Sequence, residues 1–156
     1  MPSRKILLVT NDLGPRAGGI ETFILGLLEH LDGSAIVIYT AAQQGSELFD
    51  AALSARTGAI IIRDKRRILI PTPSINRRVR AVAEKYESEI VWFGAAMPLA
   101  WMSALLKRAG VRRVVALTHG HEVWWAKLPV FRRFFSHSTR SIDVLTYLGQ
   151  FTRRAM

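Results

Sequence analysis

The residues of this sequence whose types and spacing could do chemistry fall in three places. The first is Asn11-Asp12, followed by Gly14, Gly18 and Gly19. Gly18 and Gly19 stand directly before an apolar segment of helical period, and the first turn of a helix leaves backbone N–H groups without intrahelical partners. An anion is the natural guest of such a turn. Two residues without Cβ atoms would let a phosphate approach the backbone and would permit φ values that other residues resist. Two glycines that only make a tight turn would read the same way at this point. Gly14 to Gly19 has the G-x-x-x-x-G spacing of a P-loop, but Ile20-Glu21 occupies the place of Lys and Ser or Thr, which disfavours ATP hydrolysis of that type. The order also misses G-x-G-x-x-G, and the next apolar run ends in Tyr39-Thr40 without an acid for a ribose, so a nicotinamide dinucleotide is disfavoured too.

The second place is Thr118-His119-Gly120-His121-Glu122. His-x-His could hold a metal, but zinc takes four ligands and no others accompany the pair, so no metal is expected. A histidine at a strand end serves more often as a hydrogen-bonding group toward substrate or backbone, or is merely structural. Asp12, Glu21 and Glu122 come from separate segments and form no evident acid and base pair. There is no nucleophile elbow of the G-x-S-x-G type.

The third place is basic. Arg77, Arg78 and Arg80, preceded by Lys65-Arg66-Arg67, belong to an amphipathic helix and its approach. Arg132 and Arg133 lie among Trp124, Trp125, Phe131, Phe134 and Phe135. Cations beside large aromatics suit a lipid headgroup region, where each contributes about 1 kcal/mol near an anionic surface. Solvated arginines over packed aromatics are the other explanation. For Arg77, Arg78 and Arg80 membrane contact is preferred, and for Phe131 and Phe135, spaced i and i+4, packing is preferred.

These groups need elements to position them. Ile6 to Val9 is a short apolar run of the kind found in a strand buried on both faces. Ile20, Phe23, Ile24, Leu27, Leu28 and Leu31 then form one stripe of a helix, with Glu21, Thr22 and Glu29 assigned to the opposite face. Further strands are predicted at Ala35–Thr40, Ala59–Ile62, Ile90–Phe93, Arg113–Thr118 and Asp143–Thr146. Helices are predicted from Ser46 to Ala55 and from Ser74 to about Glu87, each capped by its serine, and over Pro98–Arg108 and Leu128–Phe135. Strands and helices alternate, which calls for an α/β fold with a mostly parallel, Rossmann-like sheet and helices on both faces. Ligands of such sheets sit beyond the carboxyl ends of the strands, where Asn11, Asp12, Gly94 and His119 would meet.

Composition fits this frame. The chain has 156 residues, 49% of them hydrophobic and 22% charged, the make-up of one globular domain with a real core. It has no cysteine, hence neither disulfide nor thiolate metal site. The first strand begins within a few residues of Met1, which leaves no room for a signal peptide and leads to the expectation of a cytoplasmic protein. The longest uncharged run, Ile90 to Leu106, approaches the shortest helical membrane span, but Gly94 and Pro98 divide it into a strand, a turn and a buried helix. The net charge of +10 implies attraction to polyanions or anionic membranes. A basic α/β module binding nucleic acid is the alternative class, but no helix-turn-helix, zinc-finger or RNA-binding signature is visible, and no nucleic acid is expected. The basic run Phe151 to Met156 lacks the polar tapering of a domain end.

Taken together, LLVTND, PRAGGIE, VWFGAAMPLA, LTHGHEVWWAKLP and DVLTYLGQFTRR resemble the N-terminal domain of family 4 retaining glycosyltransferases. Within that group the sequence is most similar to actinobacterial mannosyltransferases acting on phosphatidylinositol mannosides. The resemblance implies a GT-B enzyme in which residues 1–156 are the acceptor-side domain and a C-terminal domain, absent from this chain, holds the donor nucleotide. It implies GDP-mannose as donor substrate, with no cofactor, and an anionic inositol phospholipid, phosphatidylinositol monomannoside, as acceptor of an α-1,6-linked mannose. The implied location is the cytoplasmic side of the cell membrane, peripheral on its inner face, and this domain alone would be inactive. Another sugar donor or glycolipid acceptor is the alternative within the family. Residue by residue, Gly18 and Gly19 take the place of the pair that meets the donor diphosphate, His119 that of the histidine beside the transferred sugar, and Asp12 lies toward the acceptor. Asn11 and Glu122 join the substrate-binding group as neighbours. Gly14, where relatives often have a proline, would loosen the loop.

Overall fold

The computed structural model describes residues 5–16, 18–119 and 140–147. Six strands form one sheet: β1 (Ile6–Thr10), β2 (Ile36–Thr40), β3 (Ile60–Arg63), β4 (Ile90–Phe93), β5 (Arg113–Thr118) and β6 (Val144–Tyr147). Their order is β3-β2-β1-β4-β5-β6, and every neighbouring pair is parallel. The expected parallel α/β fold is therefore present. Its order is the doubly wound one, in which the chain leaves β1 toward one edge and later returns to add β4 on the other side. The crevice at that reversal lies between the carboxyl ends of β1 and β4.

The sheet is buried because its strands carry Val, Ile and Leu on both faces. Leu7 and Val9 belong to one core with Val37, Val91, Ile75 and Val79, while Leu8 belongs to a second with Ile38, Ile24, Leu28 and Leu53. Successive side chains of a strand point to opposite faces, so one apolar run supplies both layers. Helices α1 (Gly19–Glu29) and α2 (Ser46–Thr57) cover the second core, and α3 (Pro73–Lys85) and α4 (Ser103–Arg108) cover the first.

Helix starts differ from expectation in instructive ways. Ser46 is the first residue of α2 rather than its cap; Gly45, left-handed at φ 71°, precedes it and no side chain caps the turn. In α3 the cap is Thr72, whose Oγ1 accepts from the Ile75 N–H at 3.4 Å, and Pro73 fills the first turn, where a missing N–H costs nothing. The stretch from Pro98 begins as a 3₁₀ turn over Leu99–Met102 and becomes α4 only at Ser103. Ile90 to Leu106 is thus strand, turn and short helix, and among the described residues no helix is long and apolar enough to cross a membrane.

The stripe on α1 is rotated from the expected one. Glu21, assigned to the solvent face, is only 6% exposed and lies in line with the buried Ile24 and Leu28. Ile20, Phe23 and Leu27 flank that line, and Leu31 lies beyond the helix and is exposed. A carboxylate thus occupies the first position of an otherwise apolar row.

Candidate functional site

The loop leaving β1 is held open by side-chain bonding rather than by its own turns. The Asn11 amide accepts from the Leu69 N–H at 2.6 Å and donates to the Leu69 carbonyl at 3.1 Å, pairing with that backbone as a neighbouring strand would. Its polar atoms are thereby committed to the protein, so Asn11 shapes the site. Asp12 is anchored through its own N–H, which donates to Thr10 Oγ1 at 3.0 Å, while its carboxylate makes no hydrogen bond to the described residues. Gly14 is packed tightly rather than loosely. A Cβ there would lie 2.4 Å from the Phe49 ring of α2 and 2.6 Å from Glu21 Oε1, so the expectation of a loosened loop is corrected by close approach.

Gly18 and Gly19 behave differently. Gly18 is extended, at φ −160° and ψ 162°, and Gly19 is not among the positive-φ glycines, so neither needs the left-handed freedom expected of them. A Cβ on either would meet no atom of the described residues within 4 Å. Neither conformation nor packing therefore demands glycine here, and what the missing side chains leave is open space against the start of α1. Among the described residues no side chain caps that start, which leaves its orphan N–H groups free; the Gly18 carbonyl is occupied by the Thr22 N–H at 3.0 Å and the Thr22 hydroxyl at 2.9 Å.

Gly18 lines an open cleft of about 1070 Å³. The loop after β1 and the first turn of α1 contribute Asn11, Asp12, Pro15, Arg16, Gly18 and Glu21; Ala42, Gln43 and Gln44 follow β2, and Arg67 and Ile68 follow β3. Glu21 is the functional candidate that sequence reasoning missed. Its Oε2 is buried and has no hydrogen-bond partner among the described residues, and a carboxylate in that state gains from any donor brought to it. The signal was its i, i+3, i+7 register with Ile24 and Leu28.

His119 lies at the carboxyl end of β5, apart from the residues lining this cleft. Its Nε2–H donates to the Gly94 carbonyl at 2.7 Å, and its ring meets Phe23 of α1 edge to face, with centroids 6.0 Å apart. Gly94 has no room for a side chain: a Cβ would fall 2.6 Å from Thr10 Oγ1 and 2.8 Å from Ile24 Cδ1. The ends of β1, β4 and β5 are thus locked together, with the histidine ring on top. Glu122 and His121, with Arg132, Arg133 and the aromatics around them, lie outside the described residues.

The basic helix divides. Arg78 reaches back to Asp64, its Nη1 donating to both carboxylate oxygens at 2.8 and 2.6 Å, and Tyr39 donates its hydroxyl to the same buried group. Burial pushes the Asp64 carboxyl up, but the Tyr39 hydroxyl, the Arg66 N–H and the Arg78 guanidinium outweigh it and hold the group below the ordinary carboxylate range. Burial, then the bond to Asp64, pushes the Tyr39 hydroxyl well above its ordinary value. Arg80 pairs with Glu84 one turn on at 2.7 Å, whereas Arg77 is exposed. Of the three arginines read as a lipid face, Arg78 is drawn inward by a buried anion the sequence did not single out. Lys65, Arg66 and Arg67 are exposed beside Ile68 and Ile70, themselves 62% and 52% exposed.

Residues 17–156 match the family described as Glycosyltransferase Family 4. The chain belongs to glycosyltransferase family 4. It is 39% identical over 154 residues to the GDP-mannose-dependent monoacylated alpha-(1-6)-phosphatidylinositol monomannoside mannosyltransferase of Corynebacterium glutamicum, covering 97% of this chain and 39% of that one. It is 38% identical over 149 residues to the GDP-mannose-dependent alpha-(1-6)-phosphatidylinositol monomannoside mannosyltransferase of Mycolicibacterium smegmatis, covering 95% of this chain and 39% of that one. Over 152 residues it is 38% identical to the Mycobacterium tuberculosis protein of that same description, with 96% and 39% covered. The chain spans about 39% of the length of these relatives. Family 4 membership agrees with the doubly wound parallel sheet and with the resemblance carried by the five sequence segments.

Proposed function

We propose that this domain forms the acceptor side of a retaining mannosyltransferase that moves mannose from GDP-mannose to phosphatidylinositol monomannoside at the inner face of the cell membrane. What carries the reading is the 38–39% identity, over 95–97% of the chain, to relatives whose names state that donor and that acceptor. The geometry supports it. The open space at Gly18 and Gly19 admits a diphosphate to the start of α1, whose N–H groups are fixed before the leaving group develops charge and stabilise it without reorganising. Asp12 and Glu21 line the same cleft, and the Asp12 carboxylate accepts from the hydroxyls of a polyol acceptor. His119, held by Gly94, stands beside the transferred sugar. No side chain on this domain is assigned as nucleophile; attack comes from the face the diphosphate leaves, and the diphosphate takes the acceptor proton. A second domain holds the guanine nucleotide. Arg77 and the exposed Ile70 face an anionic lipid surface, the arginine toward headgroups and the isoleucine toward the acyl boundary.

The test is to give the full-length chain GDP-mannose or another nucleotide sugar, with phosphatidylinositol monomannoside, phosphatidylinositol or an inositol-free glycolipid in vesicles. Mass spectrometry of the lipids should find one added hexose only with GDP-mannose and the monomannoside. A product confined to another donor or acceptor, or none at all, would overturn the proposal.

A further inference from the structure

The side chain of Arg63, the last residue of β3, is 12% exposed and is not among the residues that line the cleft. Its Nε and Nη2 donate to the two carboxylate oxygens of Asp50 on α2 at 2.7 Å each. The rest of the fork is turned toward backbone: Nη2 donates to the Gly14 carbonyl at 2.6 Å, Nη1 to the Ala41 carbonyl at 3.0 Å, and the Leu13 carbonyl lies 3.4 Å from both nitrogens. A guanidinium has five N–H donors in a fixed plane, and here they meet five acceptor atoms from three separate segments.

Those segments matter. Leu13 and Gly14 lead directly into Pro15, Arg16 and Gly18 of the cleft, and Ala41 leads into Gln43 and Gln44. Phe49, the residue before Asp50, is the ring against which Gly14 packs, so α2 grips the same loop twice. Across the mouth the Arg16 N–H donates to Gln43 Oε1 at 3.3 Å. From this convergence we propose that Arg63 is a positioning residue, setting the spacing between the loops after β1 and β2 and so the place of the anion-facing turn. It touches no ligand itself. A lysine would keep the charge opposite Asp50 but could not span the three carbonyls, because its donors radiate from one atom.

Arg63→Lys in the full-length chain tests this with two readouts. Amide exchange followed by mass spectrometry should quicken at least tenfold in peptides covering residues 13–18 and 42–44, with β1 and β4 unchanged. The kinetic readout rests on the function proposed above. Mannose transfer, measured well below the melting temperature, should lose about 10–100-fold in kcat, as expected for misplacement on the order of 1 Å, with the donor KM changing less than threefold. Leu53→Val, a core change in α2 away from the cleft, lowers stability without moving the loops and should leave kcat unaltered. Exchange unchanged in the two loops overturns the positioning role, and so does a kcat loss no larger than that of Leu53→Val. If the wild type transfers no mannose, the functional proposal fails and the exchange data alone judge Arg63. Should Arg63→Lys not fold, Asp50→Asn, which loosens the fork from its anchor, is read in the same way.

Discussion

Replacing Gly19 by valine separates stability from activity. Gly19 is the first residue of α1. Glycine is worth about 1 kcal/mol less than alanine in a helix and valine roughly half that deficit, so the substitution gains a few tenths of a kcal/mol in propensity. Its Cβ brings no crowding, since it would meet no atom of the described residues within 4 Å. The melting temperature should therefore stay within about 2 °C of wild type. The open space beside Gly19 is the space assigned to the donor diphosphate. Losing one preorganised donor to developing negative charge costs about 3–4 kcal/mol, roughly 10²–10³ in kcat. Initial rates of mannose transfer by the full-length chain, with thermal melts on the same samples and Gly19→Ala as the intermediate step, measure both quantities. Undiminished transfer by Gly19→Val would refute the phosphate role, and a fall in melting temperature above about 5 °C would refute the claim that the position is open.

Gly94→Ala should behave oppositely, since its Cβ would overlap Thr10 and Ile24. A loss of about 1–3 kcal/mol is expected, read as about 2–4 °C in melting temperature per kcal/mol. His119→Ala removes the bond to the Gly94 carbonyl and the contact with Phe23; transfer should fall far more than in His121→Ala, and equal losses would assign the sugar-side role elsewhere. Asp64 makes an acid-side prediction. Its carboxyl is lowered in the fold, so the unfolded chain takes up the proton first as pH falls. The stabilisation is thus fully present above the ordinary value of 3.8 and is lost below it, as pH drops through the folded value. In urea melts the gap between wild type and Asp64→Asn should be constant from about pH 5 to 7 and shrink below pH 4; a gap independent of pH would contradict the network.

The sheet was legible because its strands are short apolar runs between turn residues, and Ile90–Phe93 and Arg113–Thr118 match their expected bounds. The carboxyl-edge loops follow from that alternation, which is why Asp12, Gly18 and His119 could be placed without coordinates. Glu21 reads as solvent-facing on its charge alone, whereas its spacing from Ile24 and Leu28 sets it in the buried row. Arg63 and Asp64 carried a weaker signal, charges closing an apolar strand. Their partners Asp50, Tyr39 and Arg78 become neighbours only once β3, β2 and β1 lie side by side, an order that local pattern does not encode.

The bonds between Asn11 and Leu69, Arg63 and its carbonyls, and Ala42 N–H and the Arg66 carbonyl all tie together loops from the β1-β2-β3 side of the sheet. Ordering these loops is therefore charged to folding, when the chain collapses, and not to the encounter with a guest. A ligand meeting this flank loses its own freedom but freezes little of the protein's. Its affinity should then depend on how well its shape matches a fixed edge, and rigid polyols should fare better there than flexible chains bearing the same hydroxyls.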